Sequence, residues 1–467
     1  DVIRKKVEKV SSREKIKSNV EKEISDKIRS YRLAGVTVDE DYKRYYEYGS
    51  LASKVLGFTG GDNQGIIGLE VSYEKYLKGI DGSILTMTTA GGTEIKNGAE
   101  DRVEPVAGWT LTTSLDLNVM KYANQVAYTL LEQKQAKTVE ILIMNPQNGE
   151  IYAMVNAPEF DLNNPYELNG GSDGLTEKEK MERLNNQWRN LAVSDTYEPG
   201  STFKVITTAA ALEKGVVTMD DRFSCPGYKI VEDRRIRCHK TTGHGAQTFL
   251  QAIGNSCNPV FMEVGARVGV DGMFEEMKRF GVLAKTGIDV PGEAGTIMHK
   301  KENVGAVELA TMSFGQSFQL SPIRMLTTVS SIINGGKSIT PHFGVTAESS
   351  DGTAMKKFSY GDGSTILSEE KSKQICEALG KVVTDGGGKK AAVDGYVVGA
   401  KTGTSQKLPR GNGKYIASCI GFAPVDHPEV IAMVRIDEPQ GLYYGGTIAA
   451  PAISSIYTNI LPYLLED

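Results

Sequence analysis

The sequence has no unbroken apolar run of the about 18–20 residues that a membrane-crossing helix needs. It has no excess of basic residues either: 53 Lys and Arg stand against 58 Asp and Glu, a net charge of −5, which offers nothing to a nucleic-acid partner. Five cysteines in 467 residues are too few for a disulfide scaffold. Internal repeats and low-complexity tracts are missing, so a solenoid or a disordered linker protein is excluded. What is present is an ordinary globular composition, 40% hydrophobic and 24% charged. The length predicts about two to four domains.

Residues 1–30 place Val2, Ile3, Val7, Val10, Ile16, Val20, Ile24 and Ile28 at spacings of mostly three or four, which predicts one or two amphipathic helices. VTVDE (36–40) reads as a strand and DYKRYYEYG (41–49) as a short helix. A helix is expected from about Ser72, and ILTMTTAGGTEI (84–95) reads as a hairpin. Few candidate catalytic groups fall in this region, which predicts an accessory module. A helix from Leu117 is capped by Asp116. TVEILIMNPQNGEIYAMVN predicts a hairpin turning at Asn148-Gly149. Helices are expected at 201–214, 246–265, 271–280 and 321–334. Three strand-like runs follow (YVVGAKTGTSQ, YIASCIGFAPV and EVIAMVRIDE), then a closing helix over 446–465. Strands, a helical block and strands again predict an α+β domain over roughly 141–467.

EPGSTFK places Ser201 at a helix start with Lys204 three residues on. Positions i and i+3 share one helix face, so hydroxyl and amine are candidates for a nucleophile and its base. The bland reading is an N-cap serine beside a solvent-facing lysine. Two further motifs weigh against it. GNSCNPVF carries Ser256 and Asn258 at a polar break in the helical block, with Cys257 between them pointing elsewhere. AKTGTSQK carries Lys401, Thr402, Gly403 and Thr404 at the end of a strand, where glycine lets a substrate backbone lie close. Lys401 supplies positive charge there, and the two threonines are candidates to bond a carboxylate. S-x-x-K, S-x-N and K-T-G, in that order, are the set found in penicillin-binding proteins and serine β-lactamases.

On these motifs the sequence resembles the class B penicillin-binding proteins, over nearly its whole length. QGIIGLEVSYEKYLKG (64–79) is similar to a stretch of the family's N-terminal pedestal. LTTSLDLNVM (111–120) is similar to its linker strand, and NPQNGEIYAMV (145–155) to the first hairpin of its transpeptidase domain. SFGQSFQLSPIRM (313–325) and GYVVGAKTGTSQ (395–406) fit as well. KVVTDGGGKKAAVDGYVVGAKTGT is similar to the elongation and sporulation branch. The resemblance implies a multidomain α+β protein. A pedestal, or dimerisation-like, module spans 1–105, and a linker strand and helix span 106–140. A β-lactamase-like transpeptidase domain, a mixed sheet with a helical subdomain, spans 141–467.

It also implies a D,D-transpeptidase that cross-links peptidoglycan stem peptides and is acylated by β-lactam antibiotics. Ser201 is the implied nucleophile and Lys204 its base. Ser256 and Lys401 relay protons, and Asn258 holds the substrate amide and the Lys204 side chain. The N–H groups of Ser201 and Thr404 form an oxyanion hole, and Thr402, Gly403 and Thr404 line the carboxylate and β-lactam site. The implied setting is the extracytoplasmic face of a bacterial membrane, reached through an N-terminal anchor outside this chain, with a membrane glycosyltransferase as partner. No cofactor is required for the chemistry. Rival readings are a β-lactamase, which the long N-terminal module disfavours, and a non-catalytic β-lactam sensor or scaffold, which the intact motif set disfavours.

Cys225, Cys238 and Cys257 fall within 33 residues of one another, with His239 and His244 among them. Three readings stand. Cys225, Cys238, His239 and His244 hold a structural zinc, with Asp221 or Cys257 able to replace one of them. Cys225 and Cys238 form a disulfide. Or the thiols are unrelated. His299, His342 and His427 are isolated and read as surface or packing residues. Asp385–Lys390 has the glycines of a phosphate loop without its spacing and reads as a flexible loop.

Overall fold

In a computed structural model, residues 2–9, 14–18, 20–39, 43–87, 100–361 and 363–465 are described. The domain that carries the motifs is built on a five-stranded antiparallel sheet. Its strands in chain order are β1 (Thr138–Met144), β2 (Ile151–Ala157), β3 (Gly399–Gln406), β4 (Tyr415–Ala423) and β5 (Val430–Asp437). Their order across the sheet is β3-β4-β5-β1-β2. Every residue of β5 is buried, as befits a central strand covered on both faces. The β1–β2 hairpin turns at Asn148-Gly149 as the sequence predicts, with Gly149 N–H donating to Asn145 O at 3.0 Å.

Helix α1 (Leu117–Gln133) starts where Asp116 accepts the N–H groups of Asn118 and Val119 at 2.8 and 2.9 Å. It covers one face of the sheet beside the closing helix, whose regular part is α7 (Ala450–Leu465). On the other face lie α2 (Lys204–Glu213), α3 (Phe249–Gly254), α4 (Asn258–Arg279), α5 (Pro322–Ile333) and α6 (Glu369–Thr384). The helix over 201–214 begins as a 3₁₀ turn, Gly200–Phe203. The expected 246–265 helix is cut in two by Ser256, which sits at φ +51°. The expected 271–280 helix is the continuation of α4 past a kink at Gly269.

One correction concerns the closing helix. Counted together, Gly445–Leu465 is long and apolar enough to cross a membrane, although no single unbroken apolar run announces it. Half of it is buried, and Ile453, Ile456, Tyr457 and Ile460 pack against the sheet, which makes it a core helix.

The N-terminal part departs further from its sequence pattern. Helices form at Val2–Val7 and Lys22–Ser30. Residues 36–39 make no strand, and residues 43–49 make no helix. Instead, the Tyr46 backbone exchanges hydrogen bonds with the Asn163 side chain at 3.0 and 2.9 Å. Arg44 and Tyr46 both reach Glu70, so tertiary partners replace the helical ones. Two short helices, Gly68–Ser72 and Glu74–Leu77, stand where one was expected from Ser72. Ser83–Thr86 pairs with Glu100–Val103, while residues 88–95 of the expected hairpin lie outside the described residues. This part docks through Ser53 and Lys54. Glu159 accepts from the Ser53 hydroxyl and from the N–H of Asn156 at 2.7 Å, and Lys54 Nζ donates to Asn156 O at 3.0 Å.

Candidate active site

Pro199-Gly200 turns the chain sharply into the 3₁₀ segment, and Thr202 Oγ1 locks the turn by donating to Pro199 O at 2.8 Å. The turn is wedged against the 313–320 segment. A Cβ on Gly315 would stand 2.0 Å from Gly200 O, so only glycine fits. Ser201 is half-buried, and its hydroxyl makes no hydrogen bond to a described residue. Lys204, the first residue of α2, is 1% exposed. It faces inward, which rules out the solvent-facing reading.

Lys204 Nζ lies 2.6 Å from Ser256 O, 2.7 Å from Asn258 Oδ1 and 3.1 Å from Ser256 Oγ. Burial drives its amine well below the usual lysine range, and the neighbouring Lys401 charge adds to the effect. Lys401 is 2% exposed and donates to Ser256 Oγ at 2.9 Å and Thr402 O at 3.1 Å. Burial pushes it down to about 8. Asn258 is fixed from behind by donating to Arg237 O at 3.3 Å. The structure therefore brings Lys204, Ser256, Asn258 and Lys401 into one hydrogen-bonded group beside the Ser201 turn. The left-handed backbone at Ser256 is what lets its carbonyl and its hydroxyl both meet Lys204.

Thr402, Gly403 and Thr404 lie on β3, which is an edge strand. A Cβ on Gly403 would come within 2.7 Å of Ser418 Oγ and 3.2 Å of Pro199 O, so this glycine lets the nucleophile turn sit on the strand. Thr404 Oγ1 accepts the N–H of Gly445 at 3.0 Å. The register pairs Lys401 with Ile420 and Gly403 with Ser418, and Lys407 N donates to Lys414 O. Alternation along an antiparallel pair then turns the backbone groups of Thr402, Thr404 and Gln406 toward the open edge.

Sequence reading missed Glu198 and Arg410, which pair beside the end of this strand; a glutamate and an arginine 212 residues apart carry no local signal. The Asp385–Lys390 loop is held rather than free: Gly387 N donates to Gly254 O at 3.2 Å, and a 3₁₀ turn covers Lys389–Ala391. His342 packs on Tyr360, with ring centroids 3.7 Å apart, and His299 and His427 are exposed.

All five cysteines are free thiols, so Cys225 and Cys238 do not form a disulfide. Cys225, Cys238, His244 and Cys257 offer ligand atoms that all lie within 4.8 Å of one another. His239 drops out of the expected set and Cys257 takes its place. His239 Nδ1 lies 3.8 Å from Cys238 Sγ, but His239 is not among the four residues whose ligand atoms are all mutually close. Cys257 is buried at the N-cap of α4, between Ser256 and Asn258. Asp221 is engaged elsewhere, with Thr218 and Arg267.

A model of the penicillin-binding protein transpeptidase domain matches residues 139–458, and one of the penicillin-binding protein dimerisation domain matches residues 1–113. Stage V sporulation protein D of Bacillus subtilis is 40% identical, over 98% of this chain and 70% of that protein. A probable peptidoglycan D,D-transpeptidase, PenA, of Neisseria meningitidis is 30% identical, over 99% of this chain and 76% of that protein. Among solved structures, penicillin binding protein 3 from Mycobacterium tuberculosis superimposes with a TM-score of 0.76 at 25% identity, covering 90% of each chain.

Proposed function

The chain belongs to the class B penicillin-binding proteins, peptidoglycan D,D-transpeptidases that act through a serine acyl-enzyme, and on that premise we propose the role of each group in the site. The observation that carries the assignment is the pair of buried lysines sharing the Ser256 hydroxyl next to the Ser201 turn.

A neutral lysine has two N–H groups and one lone pair. Lys204 spends the two N–H groups on Ser256 O and Asn258 Oδ1, which leaves the lone pair for a proton. Ser201 Oγ attacks the carbonyl of the penultimate D-Ala of a stem peptide, and its proton passes to Lys204. The N–H groups of Ser201 and Thr404 receive the oxyanion. Collapse breaks the peptide bond, and the D-Ala amine leaves with a proton delivered through Ser256. Lys401, still charged, donates to Ser256 Oγ and orients that relay. Thr402 and Thr404 bind the terminal carboxylate, as they would that of a β-lactam. An amine on a neighbouring stem peptide then attacks the acyl-enzyme. Its lost proton returns through Lys204, and Ser201 is released.

The Cys225, Cys238, His244 and Cys257 group fits a structural zinc. Tetrahedral bonds of about 2.3 Å to sulfur place ligand atoms about 3.8 Å apart, and the four atoms lie within 4.8 Å of one another. Bound there, zinc supplies cross-linking of the Cys225–Cys257 region and no step of the reaction; Cys257 carries the brace to the residues on either side. The setting that goes with this activity is the extracytoplasmic face of the membrane, beside a membrane glycosyltransferase that makes the strands to be cross-linked.

The test is a time course with fluorescent penicillin. A stable adduct at Ser201, absent in Ser201→Ala, is the expected result. Rapid turnover of the label would favour a β-lactamase, and no labelling a non-catalytic scaffold.

A further inference from the structure

Phe261 has no part in the roles assigned above, yet it lies against the base. Lys204 Nζ stands over the face of its ring, 5.2 Å from the centroid. The ring is fully buried. Asn258 opens α4 and Phe261 follows three residues later, so both occupy one face of its first turn. That turn presents an oxygen and an aromatic face to the same amine. Backbone and side chains fix the arrangement. The Phe261 N–H donates to Cys257 O at 3.2 Å. The ring packs on Phe249, centroids 5.7 Å apart, which packs in turn on Phe223 at 6.1 Å.

Acylation creates a charge at this amine. As Ser201 Oγ bonds to the carbonyl carbon, its O–H bond breaks, an N–H bond forms on Lys204, and the carbonyl electron pair becomes the oxyanion. The new ammonium is buried and shares Ser256 Oγ with the Lys401 ammonium. Its partners among the described residues are Ser256 O, Ser256 Oγ and Asn258 Oδ1, with no Asp or Glu among them. The titratable groups around it are Lys401 on β3 and the thiols of Cys238 and Cys257, and neither thiol bonds to it.

Magnitudes decide what such a place can hold. A carboxylate in contact would hold the proton about tenfold to thousandfold more firmly. Lys204 would then be charged before Ser201 could give anything up. An aromatic face favours a desolvated cation by about threefold to thirtyfold. That helps the ammonium as it forms, and is too little to charge the lysine beforehand against burial and Lys401. The ring also has no lone pair to compete for the Lys204 N–H groups or for the proton in flight.

We propose that Phe261 is a positioning residue for acylation, its ring face stabilising the ammonium that Lys204 becomes on taking the Ser201 proton. The inference rests on the reading of Lys204 as the base.

The test replaces Phe261, in the full chain, by mono-, di- and trifluorinated phenylalanine. Fluorine is little larger than hydrogen, so packing is kept while the negative potential on the ring face falls step by step. Acylation rate constants with fluorescent penicillin are measured across the pH profile. The rate should fall step by step with fluorination, about threefold or more for the trifluorinated ring. The acid limb should move to lower pH, because an ammonium that has lost support gives up its proton sooner. A rate that ignores the series, or a graded loss with the acid limb in place, overturns the proposal. Lys204→Ala separates that failure from failure of the reading beneath it. Loss of acylation in Lys204→Ala leaves the base assignment standing. Ordinary acylation in that variant removes the assignment, and this inference with it.

Discussion

Lys204 and Lys401 reach for one hydroxyl: Ser256 Oγ lies 3.1 Å from the first amine and 2.9 Å from the second. Two buried ammonium groups cannot both stand this close to one oxygen at low cost, so one must give up its proton. Lys204 is the one pushed further down, and it is the one next to the nucleophile turn.

The pH profile of acylation follows. The reaction needs Lys204 neutral and Lys401 charged. The rate should climb as Lys204 deprotonates and fall as Lys401 passes about 8. Lys401→Met removes the like charge, so the Lys204 amine rises toward its ordinary value and the acid limb moves to higher pH. The maximal rate should drop about tenfold to thousandfold as well. A profile whose acid limb stays in place in Lys401→Met would contradict this division of labour.

The same substitution should stabilise the fold. Lys401 titrates lower in the folded chain than its ordinary 10.5, so folding at neutral pH buries a charge that the unfolded chain keeps in water. That cost is complete below about 8 and fades as pH rises toward 10.5. Lys401→Met should gain roughly 1–3 kcal/mol at pH 7. Denaturant curves at pH 7 and pH 10 should show the gain shrinking.

Asn258→Ala should slow acylation about tenfold to hundredfold. It removes the Oδ1 that takes one Lys204 N–H, and the amine is then free to turn from Ser201. Single-turnover labelling with fluorescent penicillin reads the loss, and an unchanged rate would mean that Ser256 alone positions the lysine.

Metal analysis of freshly purified protein should find about one zinc per chain. Cys238→Ser or Cys257→Ser should lose it, and His239→Gln should keep it, because His239 lies outside the mutually close set. Chelation should lower the melting temperature by several degrees. A zinc that follows His239 in place of Cys257 would refute the ligand assignment.

Glu159→Leu should loosen the N-terminal part at a cost of about 2–4 kcal/mol, because it orphans the buried N–H of Asn156 and the hydroxyl of Ser53. Limited proteolysis read by mass spectrometry should then show faster cutting near residues 43–60 than within the sheet.

The legible parts of this protein were the local ones. Asp116 as a cap and Asn148-Gly149 as a turn act through neighbours two to four residues away. The three motifs were legible because each carries its own geometry: a helix face, a broken helix, a glycine on a strand. What was hidden depended on distant partners. The Tyr46 backbone prefers Asn163 to a helix. Cys257 belongs with Cys225 and Cys238 because the fold brings the N-cap of α4 beside them, which no count of intervening residues reveals. Glu198 and Arg410 belong to the same class.

The outer edge of β3 has a further consequence. An unpaired strand edge invites any extended chain, including another copy of the same protein. Here two of the outward carbonyls are taken from within: Lys401 holds that of Thr402 and Arg410 holds that of Gln406. The N–H groups of Thr404 and Gln406 have no acceptor among the described residues. A visiting strand of protein, which needs donors and acceptors in alternation, finds an incomplete ladder. A short peptide that brings a carbonyl and a carboxylate finds all that it requires. The edge screens its visitors by their shortage of N–H groups as much as by their shape.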